Sequence, residues 1–179
     1  MPFQDKENLS DLQTFSKEVW FNNDSQFYGN SKFFSDTEIE GFLDLKSTAA
    51  IKEVFEKIVI KENEVLSGLI DINIYEGSLI KFQNNGTGNF SFNLKGEINF
   101  SMPNKRSLTI TILCPMGSTA YVISSSDQIK IDGVTQTVKW IGSSSPSSGF
   151  SNSINAYTFV IIKNDIDDYT ILGSLSRFG

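Results

Sequence analysis

Histidine is absent from all 179 residues of this chain. Its absence excludes Ser-His-Asp and Cys-His catalytic pairs, histidine-based zinc sites and imidazole general bases. Cysteine occurs once, at Cys114, so an intrachain disulfide is excluded as well. Cys114 lies in the strand-like run SLTITILC, and we expect a buried thiol rather than a reactive one.

Positive charge is scarce, because 15 Lys and Arg stand against 21 Asp and Glu, for a net charge of -6. A nucleic-acid partner is not expected, since such proteins carry a basic footprint. No apolar run approaches the length that crosses a bilayer, so membrane insertion is not expected either. The polar start MPFQDKENLS does not read as a secretory signal, which indicates synthesis in a reducing cytoplasm without export by the general secretory route.

Large apolar residues recur every six positions over residues 21–48, which read FNNDSQ FYGNSK FFSDTE IEGFLD LKST. A step of six does not fit a helix but is a multiple of the strand period of two. Such a repeat buries one apolar residue per turn and must stack on other chains. We therefore predict an intertwined trimeric β stem, with these residues pointing inward from three chains: Phe21, Phe27, Phe33, Ile39 and Leu45.

The N-terminal segment, residues 1–20, predicts a short amphipathic helix followed by a bulky residue. An apolar residue recurs there every three or four positions, which is the spacing of one helix face. A helix this short is marginal alone, so we expect it to dock on a larger structure. The candidate docking residues are Leu9, Leu12, Phe15, Val19 and Trp20.

The remaining residues, 49–179, predict a C-terminal head. A short helix is expected over 49–55, and short strands separated by turn signals follow from residue 57. This spacing predicts a mainly β protein whose head is an antiparallel, jelly-roll-like β-sandwich. The expected strands are KIVIKE, GLIDINI, SLIKFQN, NFSFNL, GEINFSM, SLTITILC, TAYVIS, QIKIDG, QTVKWIG, NAYTFVIIK and DYTILGSLSRF.

Three sequence patterns bear on catalysis or metal binding. The hexads resemble those of left-handed β-helical acyltransferases, but that class depends on a histidine base. The pairs Glu38/Glu40 and Glu62/Glu64 have the spacing of paired glycosidase carboxylates, yet a solvated strand face explains them. The run NDIDD at 164–168 offers oxygens for calcium, but a hairpin turn explains it as well. We expect no enzyme activity, cofactor or metal.

Recognition residues are sought among exposed aromatic and loop side chains. Trp140 and Tyr157 are candidates for stacking on sugars, although core packing is the stronger interpretation for both. The serine-rich stretch 143–153 predicts an exposed loop, and loops carry function on rigid scaffolds. The candidate receptor contacts are Trp140, Ser143, Ser145, Pro146 and Phe150.

Several stretches, in their order along the chain, resemble a β-domain of tail-fibre-like virion proteins from marine tailed phages, notably cyanophages. They cover most of residues 47–179, and the hexads are similar to the short repeats of trimeric phage fibre stems. The resemblance implies no catalytic residues. The stretches are AAIKEVFEKIVI, SLTITILCPMGSTAYVISSSDQIKIDG, VKWIGSSSPSSG, NAYTFVIIK and ILGSLSRFG.

The resemblance and the residue patterns together predict a homotrimeric virion structural protein, assembled in the host cytoplasm. It would be a short tail fibre or baseplate-attached adhesion protein, bound to other virion proteins through its N-terminus. Its head would contact a glycan or protein of the host surface, with avidity from three copies. A capsid decoration or neck protein without receptor binding, a carbohydrate-active virion enzyme and a stand-alone lectin remain the alternatives.

Overall fold

The computed structural model describes residues 56–124 and 129–179. The predicted docking segment 1–20, the predicted stem 21–48 and the predicted helix over 49–55 lie outside the described residues. The described elements are β1 (Ile58–Lys61), β2 (Gly68–Asn73), β3 (Leu79–Phe82), β4 (Phe90–Lys95), α1 (Ile98–Ser101), β5 (Arg106–Met116), β6 (Ile129–Ile131), β7 (Val134–Gln136), β8 (Val138–Trp140), a 3-10 turn (Ile141–Ser143), β9 (Ser153–Asp165) and β10 (Asp168–Phe178).

The strands form two sheets, and the first six alternate between them. One sheet has the order β1-β3-β5-β9-β10-β8 and the other has the order β2-β4-β6-β7. Strands β1, β3 and β5 are parallel neighbours, as are β2, β4 and β6. Ile58 pairs with Leu79 and Gly68 with Phe90, so the chain returns to the same place after 21 or 22 residues. The first half of the head is therefore a coil that adds one strand to each sheet per turn.

The second half of the head is a long antiparallel ladder. Strand β9 pairs antiparallel with β5 on one side and with β10 on the other. Strand β8 then joins β10 in parallel, and β7 closes the smaller sheet by pairing antiparallel with β6. The prediction of a mainly β, sandwich-like head is confirmed.

The strand directions differ from the antiparallel prediction. Five strand pairs are parallel and three are antiparallel. Alternation favours antiparallel strands because parallel strands are usually buried on both sides, but here the parallel strands β1, β2 and β3 are exposed on one side and alternate as well. The head is a mixed sandwich.

The core lies between the two sheets and is centred on aromatic rings. Phe92 and Phe159 face each other from opposite sheets with ring centroids 6.3 Å apart, and Phe159 lies 5.8 Å from the ring of Trp140. On the other side, Phe90 contacts Tyr157 edge-to-face at 5.6 Å. Edge-to-face contacts of this kind add to the stabilisation that burial alone gives. The abundant phenylalanine of the sequence thus joins the two sheets.

Two predicted strands are not strands. GEINFSM forms the single helical turn α1, because Glu97 adopts a left-handed backbone with φ 49°. Asp132 stabilises that turn from the β6–β7 connection: its Oδ1 accepts the backbone N–H groups of Gly96 and Glu97, and its Oδ2 accepts that of Ile98 at 2.6 Å. TAYVIS contributes only an isolated bridge at Ile123. Asp132, which stabilises α1, lies 34 residues from Ile98 in the chain, so local sequence patterns could not predict the helical turn.

Cys114 is fully buried in β5, as the sequence predicts. Burial raises the pKa of its thiol well above the ordinary value, and the thiolate is the reactive form. We expect no reaction with an aromatic disulfide reagent in the native protein at pH 8 and full reaction of one thiol in denaturant. A thiol that reacts at the same rate in both conditions would contradict this placement.

Candidate functional site

An open cleft lies at the end of the larger sheet, where β8 leads into the serine-rich loop. Its volume is about 480 Å³, within the range of clefts that hold small ligands. It is lined by residues of β8, the 3-10 turn and the start of the loop: Val138, Lys139, Trp140, Ser143, Ser144 and Ser145.

The floor of the cleft depends on close packing between β8 and β10. Gly173 pairs with Trp140 in the parallel register of these strands. A Cβ atom added at Gly173 would lie 2.5 Å from Cγ1 of Val138 and 2.9 Å from Cε3 of Trp140. The absence of a side chain at Gly173 therefore lets the Trp140 ring lie directly on β10 and reach Phe159.

The wall of the cleft is polar and follows a sharp change of chain direction. Gly142 has φ 80° and Ser143 has φ 68°, both in the left-handed region. Two consecutive residues with left-handed backbone conformation turn the chain away from the sheet. Ser143, Ser144 and Ser145 therefore line one side of the cleft. Lys139 is exposed and adds a positive charge. The cleft thus offers hydroxyl groups and one ammonium group for hydrogen bonding.

The far half of the loop is fixed to the head. Gly149 is buried, and a Cβ atom there would lie 2.2 Å from the carbonyl oxygen of Tyr121. The backbone N–H of Phe150 donates to Oδ1 of Asn155 at 3.3 Å, and the Ser153 hydroxyl donates to the Phe150 carbonyl at 2.9 Å. The loop is therefore attached at both ends, with the cleft under its first half.

The structure separates the five predicted receptor contacts into two groups. Trp140, Ser143 and Ser145 line the cleft, whereas Pro146 and Phe150 are not among its lining residues. The Phe150 ring instead lies under the guanidinium of Arg177, 5.6 Å from ring centroid to Cζ.

The stacking role considered for the two aromatic candidates needs correction. Trp140 is only 8% exposed and packs on Phe159, so it cannot present its ring face to a sugar and contributes only to the cleft floor. Tyr157 is fully buried, which confirms core packing. Both side chains stand at inward-facing positions of their strands, which places them in the core between the two sheets.

Lys139 is one of the lining residues that the sequence did not predict, together with Val138 and Ser144. It stands between the buried residues Val138 and Trp140 in β8. Strand alternation places it outward, and this signal was available in the run VKWIG. Ser144 was missed as a contact because the seven serines of residues 143–153 are alike by residue type.

The described carboxylate candidates lie in chain connections and at strand ends rather than on the face of a strand. Glu62 and Glu64 lie after β1 rather than in a strand, and Glu64 forms an ion pair with Lys61 at 3.4 Å. The NDIDD run is the predicted hairpin turn between β9 and β10, where Oδ1 of Asp165 accepts the N–H of Ile166. Glu38 and Glu40 lie outside the described residues.

Within residues 56–124 and 129–179, no group of three or more acidic, cysteine or histidine side chains is placed to hold a metal ion. Over the same two ranges, no helix has the length and apolar character needed to cross a bilayer.

Comparison with known proteins adds no relative. The chain matches no family model, no curated protein and no solved structure.

Proposed function

We propose that the protein is a phage virion structural protein, a homotrimeric short tail fibre or baseplate-attached adhesion protein whose head binds a host-surface glycan. The cleft between β8 and the serine-rich loop is the observation that carries the binding role. The virion role is supported by the resemblance of the hexads and of the strand stretches to phage fibre proteins. The protein acts by binding rather than by catalysis. It is a component of a virion that is assembled in the host cytoplasm.

The chemistry of the cleft favours a glycan over an apolar ligand. Ser143, Ser144 and Ser145 supply hydroxyl groups that both donate and accept hydrogen bonds, which matches the hydroxyl groups of sugars. The Lys139 ammonium favours a sugar with a carboxylate or phosphate substituent. The small exposed part of Trp140 adds apolar surface to the floor of the cleft.

A single open cleft of this kind binds weakly, since much of a bound sugar stays in contact with water. Three copies on one rigid particle change this, because the second and third binding events occur at high effective concentration. A trimeric adhesion protein therefore needs only a modest site on each head. This requirement fits the shallow, polar cleft better than it fits a deep catalytic pocket.

Binding to purified lipopolysaccharide from marine cyanobacteria, followed by biolayer interferometry with the full-length protein, tests the proposal. We expect saturable binding that Lys139→Ala weakens by about tenfold, since a charge-assisted hydrogen bond is lost. Gly173→Ala should also weaken binding, because the added Cβ displaces Trp140 from the floor. Lys57→Ala, at an exposed lysine before β1, is the matched control and should bind like the unmodified protein.

Each other outcome contradicts a specific part of the proposal. Binding that Lys139→Ala and Lys57→Ala leave equally strong would remove the cleft from recognition. Release of reducing sugars during the incubation would favour a carbohydrate-active enzyme. No binding to the polysaccharide or to whole cells would favour a decoration or neck protein.

A further inference from the structure

The outer faces of the two sheets differ sharply in chemistry. The outer face of the smaller sheet, called here the polar face, carries mainly polar and charged residues: Asp71, Asn73, Ser91, Asn93, Lys95, Lys130 and Thr135. The outer face of the larger sheet, called here the apolar face, carries nine large apolar residues: Ile58, Ile60, Leu79, Leu113, Ile154, Val160, Ile162, Leu172 and Phe178.

The polar residues of this face form hydrogen bonds and ion pairs, both at its exposed positions and at the buried position Asn93 of β4, where Ser91 is buried as well. The Lys95 ammonium lies 2.6 Å from Oδ2 of Asp71, and Asn93 donates to the other Asp71 oxygen at 2.7 Å. These two hydrogen bonds, that of Lys95 first, hold the pKa of Asp71 below its usual range. Asn93 also accepts the backbone N–H of Gly133 at 2.8 Å. Polar side chains on this sheet therefore satisfy one another.

The apolar face has no comparable network of charges. Lys81 lies within it, Lys139 lies at its margin on the edge strand β8 where it lines the cleft, and Thr and Ser fill the spaces between the apolar side chains. Ile58 is 50% exposed, Ile60 55% and Leu172 43%. A sheet face directed to water is normally polar, so this face has the composition of one that is covered by another surface.

We propose that the apolar face is the surface through which the heads of neighbouring copies of this chain pack on one another. The inference rests on the homotrimer that the proposed function includes. It adds an interface in the head to the predicted stem residues.

Charge favours a second copy of this chain as the occupant. The chain carries a net charge of -6, so two copies repel each other over most of their surfaces. The registers place Lys81 rather than a carboxylate within the apolar face, so repulsion between the acidic surfaces of two copies is weaker there. Contact between copies is least costly there.

The size of the apolar face suits a stable contact. Strands β5, β9 and β10 contain 11, 13 and 11 residues. At roughly 3.4 Å per residue and about 4.8 Å between strands, they span roughly 570 Å² of flat sheet, to which the four residues each of β1 and β3 add roughly 130 Å². Side-chain relief increases this area, which approaches the about 800 Å² per partner of standard protein interfaces.

The position of the face along the chain also suits this role. Ile58, the first residue of the face, comes ten residues after Thr48, where the predicted stem ends. Ten residues span at most about 35 Å, so copies joined by a stem keep their heads within reach of one another. The high effective concentration then allows a face of moderate strength to associate.

The test combines two matched substitutions with chemical labelling of the full-length protein. Leu172→Glu places a carboxylate on the apolar face, and Leu69→Glu makes the same change at a residue that is 53% exposed on the other sheet. Light scattering over a concentration series gives the mass, and acetylation followed by mass spectrometry compares Lys81, on the face, with the exposed Lys105.

We expect Lys81 to be acetylated more slowly than Lys105 at high protein concentration. Leu172→Glu should abolish this protection and raise the dissociation constant between heads by about tenfold or more, since it places a charged carboxylate in an apolar contact. Leu69→Glu should leave the protection of Lys81 and the dissociation constant between heads unchanged. If Leu172→Glu keeps the oligomer mass but loses the protection of Lys81, the result still supports the apolar face as an interface, because the stem alone then holds the copies together.

Two outcomes overturn the inference, and they can be distinguished. An oligomer in which Lys81 and Lys105 react equally would exclude the apolar face and leave the proposed homotrimer standing. A monomer at every concentration would exclude both the face and the homotrimer. The polysaccharide-binding measurement then decides the role of the head independently.

Discussion

Phe159→Ala is expected to lower the free energy of unfolding by about 3–5 kcal/mol, the usual cost of truncating a fully buried phenylalanine. The side chain of Phe159 is 0% exposed in the middle of β9. Its ring contacts Phe92 of the smaller sheet and Trp140 of β8, so the truncation removes a contact between the sheets and the support of the cleft floor. Urea denaturation followed by circular dichroism measures the change.

Phe100→Ala provides the matched control, since the side chain of Phe100 is 85% exposed. It should shift the denaturation midpoint little, because an exposed side chain loses almost no burial on truncation. Similar losses for both variants would contradict the packing described between the two sheets. A large loss at Phe159 with normal polysaccharide binding would show that the cleft does not depend on the position of Trp140.

The second half of the head follows closely from local sequence patterns. NAYTFVIIK and DYTILGSLSRF are rich in β-branched and aromatic residues, and Asn164 and Asp165 mark the turn between them. These features lie within about ten residues of one another, and hairpins form from such local signals. The resulting strands β9 and β10 pair as neighbours, as expected for consecutive segments.

The coil in the first half was not predictable in the same way. Its partners lie 21 or 22 residues apart, as with Ile58 and Leu79 or Gly68 and Phe90. The next partners are farther apart, since Leu79 pairs with Thr111 and Phe92 with Ile129. The spacing between paired strands is thus 21 or 22 residues in the first turn and longer in the next. A coil is recognised in a sequence only when several turns have similar lengths, so no repeat is visible here.

The cleft was predictable in part. The serine-rich composition identified the loop, and Ser143 and Ser145 do line the cleft. Residue type did not separate them from Pro146 and Phe150, because the division depends on Gly149 packing against Tyr121, 28 residues earlier. Long-range contacts of single glycines are not visible in the sequence, which makes the extent of the site the least predictable feature.

Lys163 is a buried lysine, and its replacement is expected to have the second large effect on stability. It is 3% exposed at the end of β9. Its ammonium donates to the carbonyl oxygens of Asn99 and, at 2.7 Å, of Met102, which are left without intrahelical partners at the end of α1. Asn99 in turn accepts the backbone N–H of Asp167 at 2.8 Å, so one lysine links the helical turn to the β9–β10 hairpin.

Lys163→Met should lower the free energy of unfolding by about 2–3 kcal/mol, since two buried carbonyl groups lose charge-assisted hydrogen bonds while the side chain keeps its length. Methionine also removes the cost of burying a charge, which keeps the loss below the sum of two such bonds. Lys130→Met, at a half-buried lysine of β6, is the control and should change stability little. The amide of Asp167 should exchange with deuterium faster in Lys163→Met alone, because Asn99 is no longer held. Unchanged exchange at Asp167 would mean that the hairpin is positioned by its own turn rather than through Lys163.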